Sequence, residues 1–206
     1  MRISKLTPSR RVRDRWTVQM EDGSFLQVGK NQMADFALYD GRELTEEELE
    51  ALRRAERHDR FQSYALRVLM DTPMSRRKLV EHLRRQECPE EEAQAIAGRM
   101  VELGLLDEGR YAAEVARHYA ARGYGPRRVR DELYRRGVPR EHWEDALRAV
   151  EDWQEGLDAF LQKKLRGAAP DPQALKRASD ALARRGYSWG EIHAALRRCG
   201  AEIEEE

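Results

Sequence analysis

The side chains with chemistry to offer are five histidines, two cysteines and a dense run of arginines. His58, His82, His118, His142 and His193 are scattered, with no His-Glu-x-x-His helix and no cysteine at ligand spacing. A zinc centre is therefore not expected. For His118 and His142 a surface or helix-packing place is the expected reading. Cys88 and Cys199 stand apart without a Cys-x-x-Cys pair, which fits a reducing compartment and no disulfide framework. Gly123-x-Gly125 lacks the lysine and Ser/Thr of a phosphate loop. No catalytic residue, metal, cofactor or small-molecule substrate is predicted. Arginine remains, and its chemistry is recognition: a rigid fork of donors that suits carboxylates and phosphates equally well.

The densest cluster is Arg122, Arg127, Arg128, Arg130, Arg135 and Arg136, six cations against Asp131 and Glu132. Arg127, Arg128 and Arg130 fall at the start of a predicted helix, where cations oppose the macrodipole. That mild cost favours a binding role for them. Arg135 and Arg136, like Arg84, Arg85, Arg184 and Arg185, fall at predicted helix ends, where the dipole alone explains a cation. All ten are candidates for contact with a polyanion or an acidic protein face. The opposite charge gathers at the other end: Ala201 to Glu206 hold four glutamates, and the net charge of the chain is zero. Such segregation suggests that the acidic tail restrains the basic patch in cis.

These residues need elements to place them. The chain is 37% charged, 40% hydrophobic and 7% aromatic, a composition that means either disorder or amphipathic helices. Its apolar residues are periodic, so helices are expected. No apolar run approaches the roughly 18 residues of a membrane span, and the amino terminus has no signal-like apolar core; a cytoplasmic protein without membrane contact is expected. Trp16 to Met20 and Phe25 to Val28 alternate around a Glu21-Asp-Gly-Ser24 turn and read as a β-hairpin, to which Arg2 to Leu6 could add a strand. Thr45 and Glu48 form a capping-box pair, predicting a helix from about Glu46 to His58.

From residue 60 the pattern repeats. Leu83-Arg-Arg-Gln-Glu-Cys-Pro89 aligns with Leu133-Tyr-Arg-Arg-Gly-Val-Pro139 and with Leu182-Ala-Arg-Arg-Gly-Tyr-Ser188, at intervals of 50 and 49 residues. In each, a helix ends near the arginine pair, Gly137 and Gly186 supply a C′ position, and Pro89, Pro139 or Ser188 opens the next helix as a proline at N1 or a serine N-cap. With further helices at Phe61 to Met70, about Glu108 to Ala121 and about Trp153 to Arg166, there are three helices per unit. The expected fold is all-α: three tandem three-helix repeats forming an elongated curved array behind a small N-terminal β-hairpin segment. The boundaries are a β segment with a capping helix at 1–58 and repeats at 59–106, 107–150 and 151–206, the last with the acidic tail.

The middle repeat is the most specific. Asp107, followed by Tyr111-Ala112, and the run Arg122-Gly-Tyr-Gly125-Pro-Arg-Arg-Val-Arg-Asp-Glu-Leu133, followed by Gly137-Val138, resemble the signature of the RecX family. The likeness covers roughly residues 60 to 200. It implies a protein that lodges in the groove of a RecA filament on single-stranded DNA and inhibits strand exchange, ATP turnover and co-protease activity. The expected partner is RecA, with single-stranded DNA contacted weakly or indirectly, and the chain acting as a monomer. Asp107 reads as a helix cap, Tyr111, Tyr119 and Leu133 as a core stripe, Ala112 as a structural residue of the family motif, and Gly125 and Gly137 as turn residues. The first and third repeats match only in pattern, and Gly167 to Pro172 interrupts the third.

A direct, non-sequence-specific DNA-binding protein is the alternative, since three-helix units resemble helix-turn-helix folds. The would-be recognition helices begin Glu90-Glu91-Glu92, Arg140-Glu141-His142 and Trp189-Gly190-Glu191. Carboxylates there repel phosphates and offer little base readout. A helical scaffold for another protein is a third reading, opposed only by the family likeness.

Overall fold

Alternation at residues 16–28 produces pairing: β2 (Arg15–Met20) and β3 (Phe25–Gly29) join antiparallel across a turn in which Gly23 takes φ 83°. β1 (Ile3–Pro8) adds to the other edge of β2, with a bulge between Ile3 and Lys5. The predicted hairpin is thus a three-stranded meander in the order β1-β2-β3. The computed structural model describes residues 1–10, 12–165 and 171–199. It forms two compact units, Met1–Asp71 with His82–Ile96, and Thr72–Glu81 with Ala97–Glu206.

In the first unit the inward side chains of the sheet, Ile3, Val18, Met20 and Val28, pack with Leu38, Leu44, Leu49 and Leu52. A short α1 (Lys30–Asp35) follows the sheet, its Gln32 side chain accepting from the Gly29 amide at 2.7 Å. Thr45 and Glu48 make the expected capping box, Thr45 Oγ1 accepting from the Glu48 amide and Glu48 Oε2 from the Thr45 amide. The helix it starts does not end at His58. α2 runs unbroken over Glu46–Asp71, so the two helices expected on either side of residue 59 are one, and the 58/59 boundary falls inside it. Nothing between Glu46 and Asp71 is proline or glycine, so no residue there carries the backbone penalty that stops a helix.

Among the described residues eight α-helices follow. α3 (Arg76–Arg84) and α4 (Glu90–Glu102) are followed by α5 (Glu108–Ala120), α6 (Pro126–Arg135) and α7 (Trp143–Arg148), the last entered through a 3-10 turn at Arg140–His142. α8 (Gln154–Lys164), α9 (Pro172–Arg184) and α10 (Trp189–Arg198) complete the series. In the second unit, α5 to α7 enclose Ala112, Val115, Ala116, Val129, Leu133 and Val138. α8 to α10 enclose Leu157, Leu161, Leu182, Tyr187, Ile192 and Leu196. Ser188 and Glu191 cap α10 reciprocally. Pro139, expected inside the next helix, stands at its N-cap with ψ 143°, outside the helical region. Of the Gly167 to Pro172 interruption, residues 167–170 lie outside the described residues, as does the acidic tail; Asp171 caps α9 through the Ala174 amide and Pro172 opens it.

Candidate functional site

α6 begins because Gly125 and Pro126 make it begin: an extended N-cap followed by a proline whose fixed φ suits N1. Its first turn holds no acid. Arg127 is exposed there and Arg128 half-exposed, and neither forms an ion pair among the described residues. Exposed Arg122 precedes them in the same condition. Arg130 lies one turn on and reaches Glu144 at 3.1 Å. Tyr134, 63% exposed, stands seven residues beyond Arg127 on the same helix face. The outer side of α6 is thus a row of guanidiniums ending in an open phenol ring.

The other arginines separate from this row. Arg135 remains exposed, 3.7 Å from Glu132. Arg136, the next residue, turns inward. Its Nε donates to Glu132 at 2.8 Å and an Nη donates to the Tyr111 hydroxyl at 3.1 Å. Its guanidinium also lies over the Tyr119 ring. Burial alone pulls the pKa of Arg136 down, but the contacts with Tyr111 and Tyr119 and the nearby Glu132 charge raise it above the ordinary value. Glu132 is itself buried, so the pair is part of the fold. Arg185, in the same repeat position, donates to the carbonyls of Arg122 (2.9 Å) and Gly123 (3.1 Å) and lies over the rings of Tyr124 and Phe160. Arg84 pairs with Glu90 at 2.9 Å. Arg85 and Arg184 are exposed.

The family-motif residues take structural places. Asp107 accepts from the Arg110 amide at 2.8 Å as N-cap of α5; Ala112 and Leu133 are fully buried. Gly125 is a matter of space: a Cβ there would sit 2.6 Å from the Gly186 carbonyl carbon. Gly137 is at φ 71°, and a Cβ would also lie 2.7 Å from Arg77 Cδ. Ser75 and Arg77, which the arginine pattern passed over, form part of this junction. Ser75 Oγ donates to the Arg136 carbonyl at 2.6 Å. The signal was present, since Ser75 aligns with Gly125 at the 50-residue interval. Among the described residues no cluster of three His, Cys, Asp or Glu could hold a metal ion, and no helix is long and apolar enough to cross a membrane.

The comparisons agree with this architecture. Residues 107–147 match the family model for the RecX second three-helix domain, and residues 151–196 match that for the RecX third three-helix domain. Regulatory protein RecX of Pseudomonas savastanoi pv. phaseolicola is 38% identical over 137 residues, covering 58% of this chain and 88% of that protein. Regulatory protein RecX of Ectopseudomonas mendocina is 38% identical over 138 residues, covering 66% and 91%. The fold is shared with a crystal structure of regulatory protein RecX (TM-score 0.73, 22% identity, 96% of this chain and 98% of that one). RecX from Lactobacillus salivarius matches at TM-score 0.66 and 20% identity over 71% and 98%. Matches to two RecX three-helix domains, together with relatives more than a third identical over most of their length, establish that this chain belongs to the RecX family of regulatory proteins.

Proposed function

We propose that the chain regulates the RecA recombinase by binding its filament on single-stranded DNA, lodged in the helical groove, and inhibiting ATP turnover, strand exchange and co-protease activity. It works by binding and not by catalysis, as a cytoplasmic monomer whose three-helix repeats follow the N-terminal β segment. The observation that carries the contact assignment is the row formed by Arg122, just before α6, and by Arg127 and Arg128 in its first turn, which have no carboxylate partner among the described residues. Arg130 and Arg135 extend it, while Arg84, Arg85 and Arg184 supply outlying charge. The inward ties of Arg136 and Arg185 support assigning those two to the fold instead. Acidic starts such as Glu90-Glu91-Glu92 on α4 disfavour docking in a DNA groove, so contact with single-stranded DNA is secondary to contact with RecA.

RecA ATPase on single-stranded DNA, titrated with the wild type and with Arg127, Arg128 and Arg130 all changed to alanine, tests the reading. Inhibition is expected at substoichiometric amounts and should weaken at least roughly tenfold in the triple variant, at about 0.5 kcal/mol or more per lost contact. If a stoichiometric excess of wild type leaves ATP turnover unchanged, the reading fails.

A further inference from the structure

Twice in the second unit, the left-handed turn that closes the middle helix of a repeat is held by the start of the middle helix of the repeat before it. Ser75 Oγ, at the start of α3, donates to the Arg136 carbonyl at 2.6 Å. At the start of α6, the amides of Gly125 and Arg127 donate to the Arg185 and Gly186 carbonyls at 2.8 and 3.1 Å. Both donor sets stand at a helix N-terminus: the α6 donors are backbone N–H groups with no partner within their own helix, and the α3 donor is the Ser75 hydroxyl.

The first repeat carries the same turn, Leu83 to Pro89, with Glu87 at φ 64° where the others have Gly137 and Gly186. Within its own unit this turn has no such partner, and no described residue donates to the Gln86 or Glu87 carbonyl. Beside it opens a cleft of 630 Å³. One wall is Arg54, Arg57 and Arg60 of α2, and the other is Glu87, Pro89 and Glu92. The walls are tied together: His58 Nδ1 is hydrogen-bonded to Glu92 Oε1 at 2.8 Å, and His58 Nε2 to Gln62 Nε2 at 2.9 Å. Arg60 lies over the Phe61 ring and Arg54 is 3.9 Å from Glu50. Arg57 is exposed and forms no ion pair among the described residues.

A cation wall facing an acceptor wall selects against simple ligands. A polyphosphate strand would meet the guanidiniums but be opposed by Glu87 and Glu92, and a polycation would meet the reverse. One common object offers both signs within a single turn. The start of an acid-bearing helix projects free N–H donors along its axis and carboxylates from its sides. We propose that this cleft docks the acidic N-terminal turn of a helix from a partner protein, filling in the first repeat the place that the starts of α3 and α6 fill in the second and third. The site lies in the other compact unit from the α6 arginine row and goes beyond the reading proposed for that row.

The test uses the isotopically labelled full chain and a synthetic alanine-based helix beginning Ser-Glu-Glu-Glu. A control peptide carries the same residues with the glutamates moved to its last turn, and a short oligothymidylate represents the nucleic-acid class. Saturable amide shifts are expected at Arg57, His58, Glu87 and Glu92 with the acid-first peptide, and binding roughly fivefold weaker with the control. Arg57→Ala should weaken the acid-first peptide by roughly fivefold, without changing the unfolding midpoint of the chain. The proposal is overturned if the cleft amides do not shift saturably, if both peptides bind equally, or if oligothymidylate shifts the same amides more strongly. None of these readouts involves RecA, so failure here is distinct from failure of the α6 assignment.

Discussion

At the scale of single residues, neighbouring arginines of identical chemistry have divergent roles, and the divergence has a geometric cause. On a helix, successive side chains point about 100° apart, so Arg135 remains in solvent while Arg136, at the C-cap of α6, swings inward to Glu132 and Tyr111. Sequence alone placed both at a helix end, where the dipole accounts for either, and could not tell which one the core recruits. Recruitment depends on Tyr111 and Tyr119, on a different helix. Stability measurements should therefore sort the candidates. Arg136→Ala leaves the buried Glu132 carboxylate only its looser contact with Arg135 and should lower the unfolding free energy by about 2 kcal/mol, discounted from a fully buried pair because Arg136 is partly exposed. Arg127→Ala removes no ion pair and should stay within about 0.5 kcal/mol. Urea unfolding of the two variants checks this, and equal losses would mean that Arg127 is held by the fold too.

At the scale of elements, the helices and repeats were legible because their signals are local. The Thr45/Glu48 box, the Asp107 and Ser188 caps, the Gly125-Pro126 start and the left-handed glycines each act within one turn of chain, and each stands where the pattern put it. The middle of α2 was not legible, because the absence of a breaker carries less signal than its presence and a repeat boundary was expected there. α1 was missed for a related reason: six residues capped by a glycine backbone and a glutamine present almost no periodicity. The junction between successive repeats was legible only after aligning them, since Ser75 does by side chain what Gly125 does by backbone. That difference is testable. Ser75 is fully buried, and its hydroxyl also accepts from the Lys78 amide at 3.2 Å. Ser75→Ala should lose both the cap and the donor, about 2 kcal/mol together. Ser75→Asp keeps the capping acceptor but sets a carboxylate against the Arg136 carbonyl, and should do no better than alanine. If aspartate restores the midpoint, the cap alone matters and the junction hydrogen bond contributes nothing.

At the scale of the whole molecule, a net charge of zero conceals a chain that separates its charges. Exposed arginines line α6 and α2, while four glutamates gather in the last six residues. Like-signed clusters on a neutral protein attract partners of opposite charge at short range without a large overall field. A basic cluster and an acidic one also attract each other, within about 8 Å at physiological ionic strength. A tail that rests on the basic row competes with any acidic partner for it, and removing its charge should raise affinity for that partner. Changing Glu205 and Glu206 to glutamine makes the net charge +2, and so does changing Glu46 and Glu47, which sit in the first turn of α2. If net charge alone sets the attraction, the two pairs behave alike. If the tail competes locally, the tail pair should strengthen binding to a RecA filament by roughly threefold more than the α2 pair at low salt, an advantage of under 1 kcal/mol typical of exposed charges. The advantage should vanish as salt shortens the screening length. Filament affinity measured for both pairs across a salt series separates the cases, and identical curves would exclude restraint of the arginine row by the tail.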